Sequence, residues 1–416
     1  MGQWIDFQQT YNKRLLREEL DNEQNKARNY SVNGHSLVRG VAGSGKSLVL
    51  RSRVEKVLNE FDSVLILSYN RFMNGWLKSK LSKYNNRRNI ECLTFHSWAY
   101  RNLGYDYRWD EDDEIRKEII DLAQNSGIQY QAILIDEAQD FYDEWFQAVL
   151  QVLDKDTNSL FFVYDNTQSV YGKPHRRKSS WSWNKLGINV TGRSQIFDLN
   201  YRNTPEILET AWQFILPALA RTDMKVEKRE RGQDGKIIKT PGIGSIIEPK
   251  KKLSRSSSIK PLLVQIDYRK MSKEIAQQVQ YALKSYKDSS IGILTHPQQR
   301  NLRLEISEEL KQLGIPHLAP QYSRDRDGNV VDRPYVIVDS WNALKGVEFD
   351  AVILVGIDQI LEYPYNSDKD FEEKAGLYTA MTRARDHLVM LYGIPNETVN
   401  LVENAVSFSI QLDSES

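Results

Sequence analysis

Cysteine is nearly absent: Cys92 is the only one in 416 residues. That excludes a disulfide framework, a zinc cluster or an iron–sulfur cluster built within one chain. Long apolar runs are missing too. The longest, such as Val64-Leu65-Ile66-Leu67, are strand length, far below the ~20 residues that span a bilayer. The N-terminal stretch 1–17 is polar and has no signal-peptide core. A reducing, cytoplasmic setting without a membrane partner is therefore expected. No sign of charge dominates either, because 56 Lys and Arg balance 56 Asp and Glu. Neutrality excludes a basic coat over the whole surface but leaves room for a local basic groove.

What is present reads as folded protein: 40% hydrophobic and 27% charged residues are ordinary for a globular chain. The length suggests two or three domains. Short apolar runs recur at 36–39, 63–68, 132–135, 160–164 and 195–199, and again at 261–266, 291–295, 335–338, 351–355 and 387–391. Helical patterns separate them. Runs without alternation imply strands buried on both faces, hence parallel sheets covered by helices. Two such series predict two α/β domains, 1–215 and 261–416. Between them, 222–260 holds eleven Lys and Arg against five Asp and Glu. It reads as a linker or excursion over 216–260, or as an arm touching nucleic-acid phosphates. The acidic run 110–114 reads as a solvated helix N-terminus.

Gly40-Val41-Ala42-Gly43-Ser44-Gly45-Lys46-Ser47 fits G-x-x-x-x-G-K-[ST], follows a strand and opens an apolar helix. Gly43 and Gly45 let backbone N–H groups converge on a polyphosphate, and the helix N-terminus adds positive potential. Lys46 reaches the terminal phosphates and Ser47 ligates Mg²⁺. Asp136-Glu137-Ala138-Gln139-Asp140 follows a buried strand. Asp136 is expected to hold the metal and Glu137 to activate water. For both to serve one site, the strand must end at Asp136 and the chain must turn there.

From these residues onward the sequence resembles a superfamily 1 helicase of the UvrD/Rep type, with motifs in the family's order. Leu20-Asp-Asn-Glu-Gln24 resembles the glutamine motif, the DEAQD form is matched letter for letter, and Tyr164-Asp-Asn-Thr-Gln168 resembles the third motif. Asn200-Tyr201-Arg202-Asn203, Lys345-Gly346-Val347-Glu348-Phe349-Asp350 and Met381-Thr382-Arg383-Ala384 resemble later motifs. The resemblance implies two RecA-like domains of the phosphate-loop NTPase class, with ATP and Mg²⁺ as cofactors. It implies a helicase or translocase on single-stranded nucleic acid, DNA rather than RNA, moving 3′ to 5′. Gln24 would read the adenine, Tyr201 stack on it and Glu348 contact the ribose. Gln168 would sense the γ-phosphate, with Arg202 and Arg383 as arginine contacts to it.

By the same resemblance, Tyr69, Thr94, His96, Tyr171, Asn342 and Lys345 would follow the nucleic-acid strand. There are departures. Lys173 and a basic run to Lys178 stand where the family often has an aromatic, and Asn342 stands where it has histidine. Trp181 and Trp183 could replace the aromatic or belong to a core. The large insertions of the family are nearly absent: about 40 residues separate His96 from Asp136. The other expectation is an ATP-hydrolysing switch that controls a partner, such as a nuclease in repair or phage defence, without unwinding on its own.

Overall fold

The computed structural model describes residues 2–7, 20–68, 71, 74–75, 78, 89–106, 113–168, 181–232, 237–242, 244–285, 288–326 and 336–412. The chain forms two compact units. One comprises Glu18–Asp198 and Met224–Glu248; the other comprises Met1–Arg17, Leu199–Asp223 and Pro249–Ser416.

The first unit is built on β1 (His35–Gly40), β2 (Ser63–Ser68), β3 (Asn89–Thr94), β4 (Ala132–Ile135), β5 (Ser159–Tyr164) and β6 (Ser194–Phe197), ordered β3-β2-β4-β5-β1-β6. Every pairing is parallel. Both faces are covered, which explains the unbroken apolar runs. On one face Val38, Val64, Ile66, Leu134 and Val163 meet Val49, Leu50, Val54 and Val57 of helix Lys46–Glu60. On the other, Leu65, Ile133, Ile135 and Phe162 meet an aromatic layer. There Phe95 stacks on Trp145 with centroids 4.1 Å apart, and Trp183 sits 4.6 Å from Phe162. Trp183 is thus a core residue, and Trp181 packs on it while its indole N–H donates to Asp143 at 3.3 Å. β3 is half exposed, so its sequence alternates and lacks the signal of its neighbours.

The basic segment is folded rather than a spacer. β7 (Val226–Glu227) pairs with β10 (Ile246–Ile247), and β8 (Glu230–Arg231) with β9 (Ile237–Lys239). The charges find partners within the unit. Buried Arg229 lies 2.8 Å from Glu23 and 3.7 Å from Asp198. Arg39 of β1 donates to the carbonyls of Pro241, at 2.7 Å, and Gly242. Burying Arg229 without those carboxylates would cost several kcal/mol, so the pairs hold the segment down. Residues 216–220 are not linker at all but the end of helix Pro205–Ala220.

The second unit carries β11 (Leu262–Gln265), β12 (Ile291–Thr295), β13 (His317–Leu318), β14 (Val336–Ser340), β15 (Phe349–Val355) and β16 (Ala384–Tyr392), ordered β11-β16-β15-β12-β14-β13, all parallel. Trp4, Ile5 and Phe7 join its core. Helix Pro205–Ala220 packs on helices Ser367–Met381 and Glu397–Leu412. Its start is fixed by the Thr204 cap and Pro205 at the first position, and the Thr204 N–H donates to the Arg385 carbonyl at 3.1 Å. That is why 199–223 belongs with the C-terminal residues and the boundary at 215 differs from the observed one. Both units are RecA-like parallel α/β domains. Among the described residues no helix is long and apolar enough to cross a membrane.

Trp145 is fully buried against Phe95, Phe141 and His96. Trp145→Ala should cost about 3–5 kcal/mol of stability. Urea unfolding followed by circular dichroism checks this; a loss below about 1 kcal/mol would contradict the described packing.

Candidate nucleotide and nucleic-acid sites

β1 delivers the chain into the turn 41–45, where Gly43 has φ 65° and Gly45 φ 86°. A side chain at Gly45 would be strained by that φ, and its Cβ would lie 2.5 Å from Gln24 Nε2. The turn is also fastened from inside: the Ser44 hydroxyl donates to the Val41 carbonyl at 2.8 Å. Lys46 opens the helix and folds back, its Nζ donating to the carbonyls of Gly40 at 2.8 Å and Val41 at 2.9 Å. The ammonium is 8% exposed, so its desolvation is offset by these acceptors and by Asp165, 3.6 Å away.

Gln24 sits directly against the turn. Its amide oxygen accepts from the Asp21 N–H at 2.9 Å in a capping box, and its Nε2 donates to the Ser44 carbonyl at 2.9 Å. It therefore ties helix Asn22–Arg28 to the loop.

β4 ends at Ile135, and Glu137 adopts φ 52° and ψ 43°, the left-handed region. The chain turns as the acidic pair requires. Asp136 is completely buried. One carboxylate oxygen accepts from the Ser47 hydroxyl at 3.2 Å, and the other from the Glu137 N–H at 3.0 Å. Burial and the neighbouring Glu137 charge push the Asp136 carboxyl up, against the pull of those donors and Lys46. A hydroxyl oxygen beside a carboxylate oxygen suits a hard cation such as Mg²⁺. Among the described residues no group of three or more His, Cys, Asp or Glu could hold a metal. A cation at Ser47 and Asp136 would thus need phosphate or water oxygens to complete its shell.

Two residues outside the sequence-based candidates complete the network. Asp165, just past β5, accepts from Gln168 Nε2 at 2.6 Å and from the Thr167 N–H at 3.0 Å. Gln139 accepts the Asp165 N–H at 3.0 Å, and its Nε2 donates to Glu137 at 2.5 Å. The sequence signal for Asp165 is an acid directly after an apolar strand, inside the segment that resembles the third motif.

In the second unit, Arg202 donates to the Thr382 carbonyl at 3.1 Å and pairs with Glu348. Partial desolvation raises the carboxyl of the exposed Glu348, but Arg202, Arg385 and Arg383 outweigh it and hold it at about 2. Arg383 is buried, with its Nε donating to the Thr379 carbonyl at 2.9 Å. Asn203 links the same two stretches of chain by donating to the Thr382 carbonyl at 3.1 Å and to that of Ala384. Arg202, Glu348 and Arg383 are therefore gathered within one unit, and Arg202 is not a residue of the phosphate-loop unit as the boundary at 215 would make it. Tyr201 stands beside them with Lys252 Nζ 4.9 Å from its ring centroid.

The strand-contact candidates are less uniform. Tyr69 and Tyr171 lie outside the described residues. The Thr94 hydroxyl caps helix Phe95–Trp98, accepting from the Ser97 N–H at 3.2 Å. His96 is edge-on to Trp145 at 5.1 Å. Lys345 is buried and Asn342 half-buried after β14.

Burial and the charge of Arg71 lower His96 from 6.5 to about 4. The folded state thus prefers the neutral ring. Below pH 6.5 the unfolded chain takes up a proton that the folded chain refuses, so stability should fall from pH 6.5 towards 4. His96→Phe should flatten that slope in unfolding midpoints; an unchanged slope would contradict a buried neutral imidazole.

A family model described as an AAA domain matches residues 24–174, and one described as the UvrD-like helicase C-terminal domain matches 338–393. No curated protein matches the chain. Among solved structures, the chain is similar to the C-terminal domain of a possible DNA helicase from Lactobacillus plantarum WCFS1. That likeness has 17% identity and a TM-score of 0.31, covering 49% of this chain and 95% of that one. The first matched segment contains the phosphate loop and DEAQD, the second the KGVEFD and MTRA segments, and each lies in one parallel six-stranded unit. The second of these models is that of UvrD-like helicases, so the family matches support the resemblance to a UvrD/Rep-type helicase.

Proposed function

We propose that the protein is an ATP-dependent translocase or helicase on single-stranded nucleic acid, DNA rather than RNA, moving 3′ to 5′. The observation that carries this is the constellation of buried Lys46, Asp136 and Glu137 with half-buried Ser47, beside a loop with two left-handed glycines. Amides of 43–47 and Lys46 hold the triphosphate, with Ala42 and Gly40 shaping the turn. Ser47 and Asp136 would hold Mg²⁺, which would supply positive charge beside the phosphates. Glu137 takes the proton of the attacking water, and Gln168 reads the γ-phosphate. Arg202 and Arg383 supply positive charge to the transferring phosphoryl group. Gln24, Tyr201 and Glu348 hold the nucleoside. Thr94, His96, Asn342 and Lys345, with Tyr69 and Tyr171, contact the strand. Aromatic stacking suits a motor because it tolerates any base.

The test is ATP turnover against single-stranded DNA concentration at two salt levels. DNA should stimulate turnover, and the stimulation should weaken with salt as counterions displace Lys and Arg contacts. Lys46→Ala should abolish turnover while a thermal melt shows that the protein still folds, at a lower midpoint because Asp165 loses its cation. Glu137→Gln should keep ATP binding and slow turnover at least ~100-fold. ATP turnover indifferent to DNA and RNA of any length would reject the autonomous motor. It would favour the second reading, a nucleotide-dependent switch acting on a partner protein such as a nuclease. The capping role of Thr94 and the packing of neutral His96 favour that reading.

A further inference from the structure

Asp165 touches both ends of the phosphate-sensing machinery. One carboxylate oxygen, Oδ2, lies 3.6 Å from Lys46 Nζ and accepts from Gln168 Nε2 at 2.6 Å. The other, Oδ1, is anchored by the Thr167 N–H at 3.0 Å. The backbone N–H of Asp165 donates to Gln139, whose amide nitrogen donates to Glu137. All five side chains, Lys46, Glu137, Gln139, Asp165 and Gln168, are buried. Inside a low-dielectric site, a charge that loses a partner must gain another at once. A phosphate oxygen arriving at the loop needs the same ammonium that Asp165 now helps to neutralise.

We propose that Asp165 is a positioning residue that competes with the nucleotide for Lys46 and passes the outcome to Gln168. With Lys46 drawn to phosphate, Asp165 Oδ2 serves Gln168 alone. The Gln168 amide is then fixed by one strong charge-assisted hydrogen bond. The Gln139 bridge holds Glu137 from the same residue. Asp165 thus lowers affinity for nucleotide while raising the rate of the bound complex. This inference rests on the nucleotide site proposed above.

Asp165→Asn separates the two effects, because it removes the charge and keeps the shape. Affinity is read with a fluorescent non-hydrolysable ATP analogue and turnover with ATP, alongside a thermal melt. The analogue should bind about three- to ten-fold more tightly, since Lys46 no longer has to leave a carboxylate. Turnover at saturation should fall ~10-fold or more, because Gln168 loses its charge-assisted anchor, while the backbone link from residue 165 through Gln139 to Glu137 is kept. General structural damage would weaken binding and lower turnover together, and that result would overturn the proposal. Unchanged affinity and turnover would also overturn it. Gln168→Leu probes the other end without touching a charge, and so serves should Asp165→Asn not fold. It should slow turnover by a larger factor than it weakens analogue binding, whereas an equal loss in both would contradict the link. If the parent itself fails to bind the analogue, the nucleotide site is wrong. If the parent binds and the variants behave as parent, only the role of Asp165 is wrong.

Discussion

The phosphate-loop unit depends on burying Lys46, Asp136, Glu137 and Asp165 within one small volume at the ends of three adjacent strands. Each of these charges alone would be too costly to bury. They are tolerated because β4, β5 and β1 are neighbours and run parallel, so their C-terminal ends deliver complementary groups to one edge. The ammonium is shared between two carbonyls and Asp165, while Asp136 takes the Ser47 hydroxyl and a backbone amide. Two like charges, Asp136 and Glu137, remain side by side. Burial, and then that neighbouring charge, raise the Asp136 carboxyl, and the pair leaves the site electrostatically suited to a divalent cation.

The second unit solves a similar problem with the opposite sign. Arg202, Arg383 and Arg385 converge on a short stretch of chain and hold Glu348 ionised. The cost is limited because backbone carbonyls of Thr379 and Thr382 accept from Arg383 and Arg202. Asn200 and Asn203 then fasten the segment carrying Tyr201 and Arg202 to the end of β16, with the Asn200 amide donating to Asn203 at 2.7 Å. Backbone geometry thus fixes where these guanidiniums sit, and carboxylates set how readily they can be drawn elsewhere.

The sheets were legible in the sequence because strands buried on both faces have no alternation. Segments such as 63–68, 132–135 and 291–295 have the same bounds in the structure. The phosphate loop and the turn after Asp136 were legible because their geometry demands particular residue types. What escaped depends on partners distant in sequence. Asp165 became meaningful only when β5 lay beside β1. The basic excursion looked like a linker because Glu23 and Asp198, which neutralise Arg229, lie far from it in the chain. Helix Pro205–Ala220 carries no mark of which sheet it covers; the Asn203 and Thr204 contacts to 382–385 decide that. Trp183 was open to either reading, stacking surface or core, because an aromatic side chain serves both; its packing on Phe162 decides for core.

The central claim is that nucleotide chemistry in this protein moves it along a strand. Displacement of streptavidin from single-stranded DNA biotinylated at one end tests it most directly. With ATP, release from the 5′ end should far exceed release from the 3′ end, and Lys46→Ala should eliminate the difference. Turnover stimulated by DNA without directional release from either end would contradict the account.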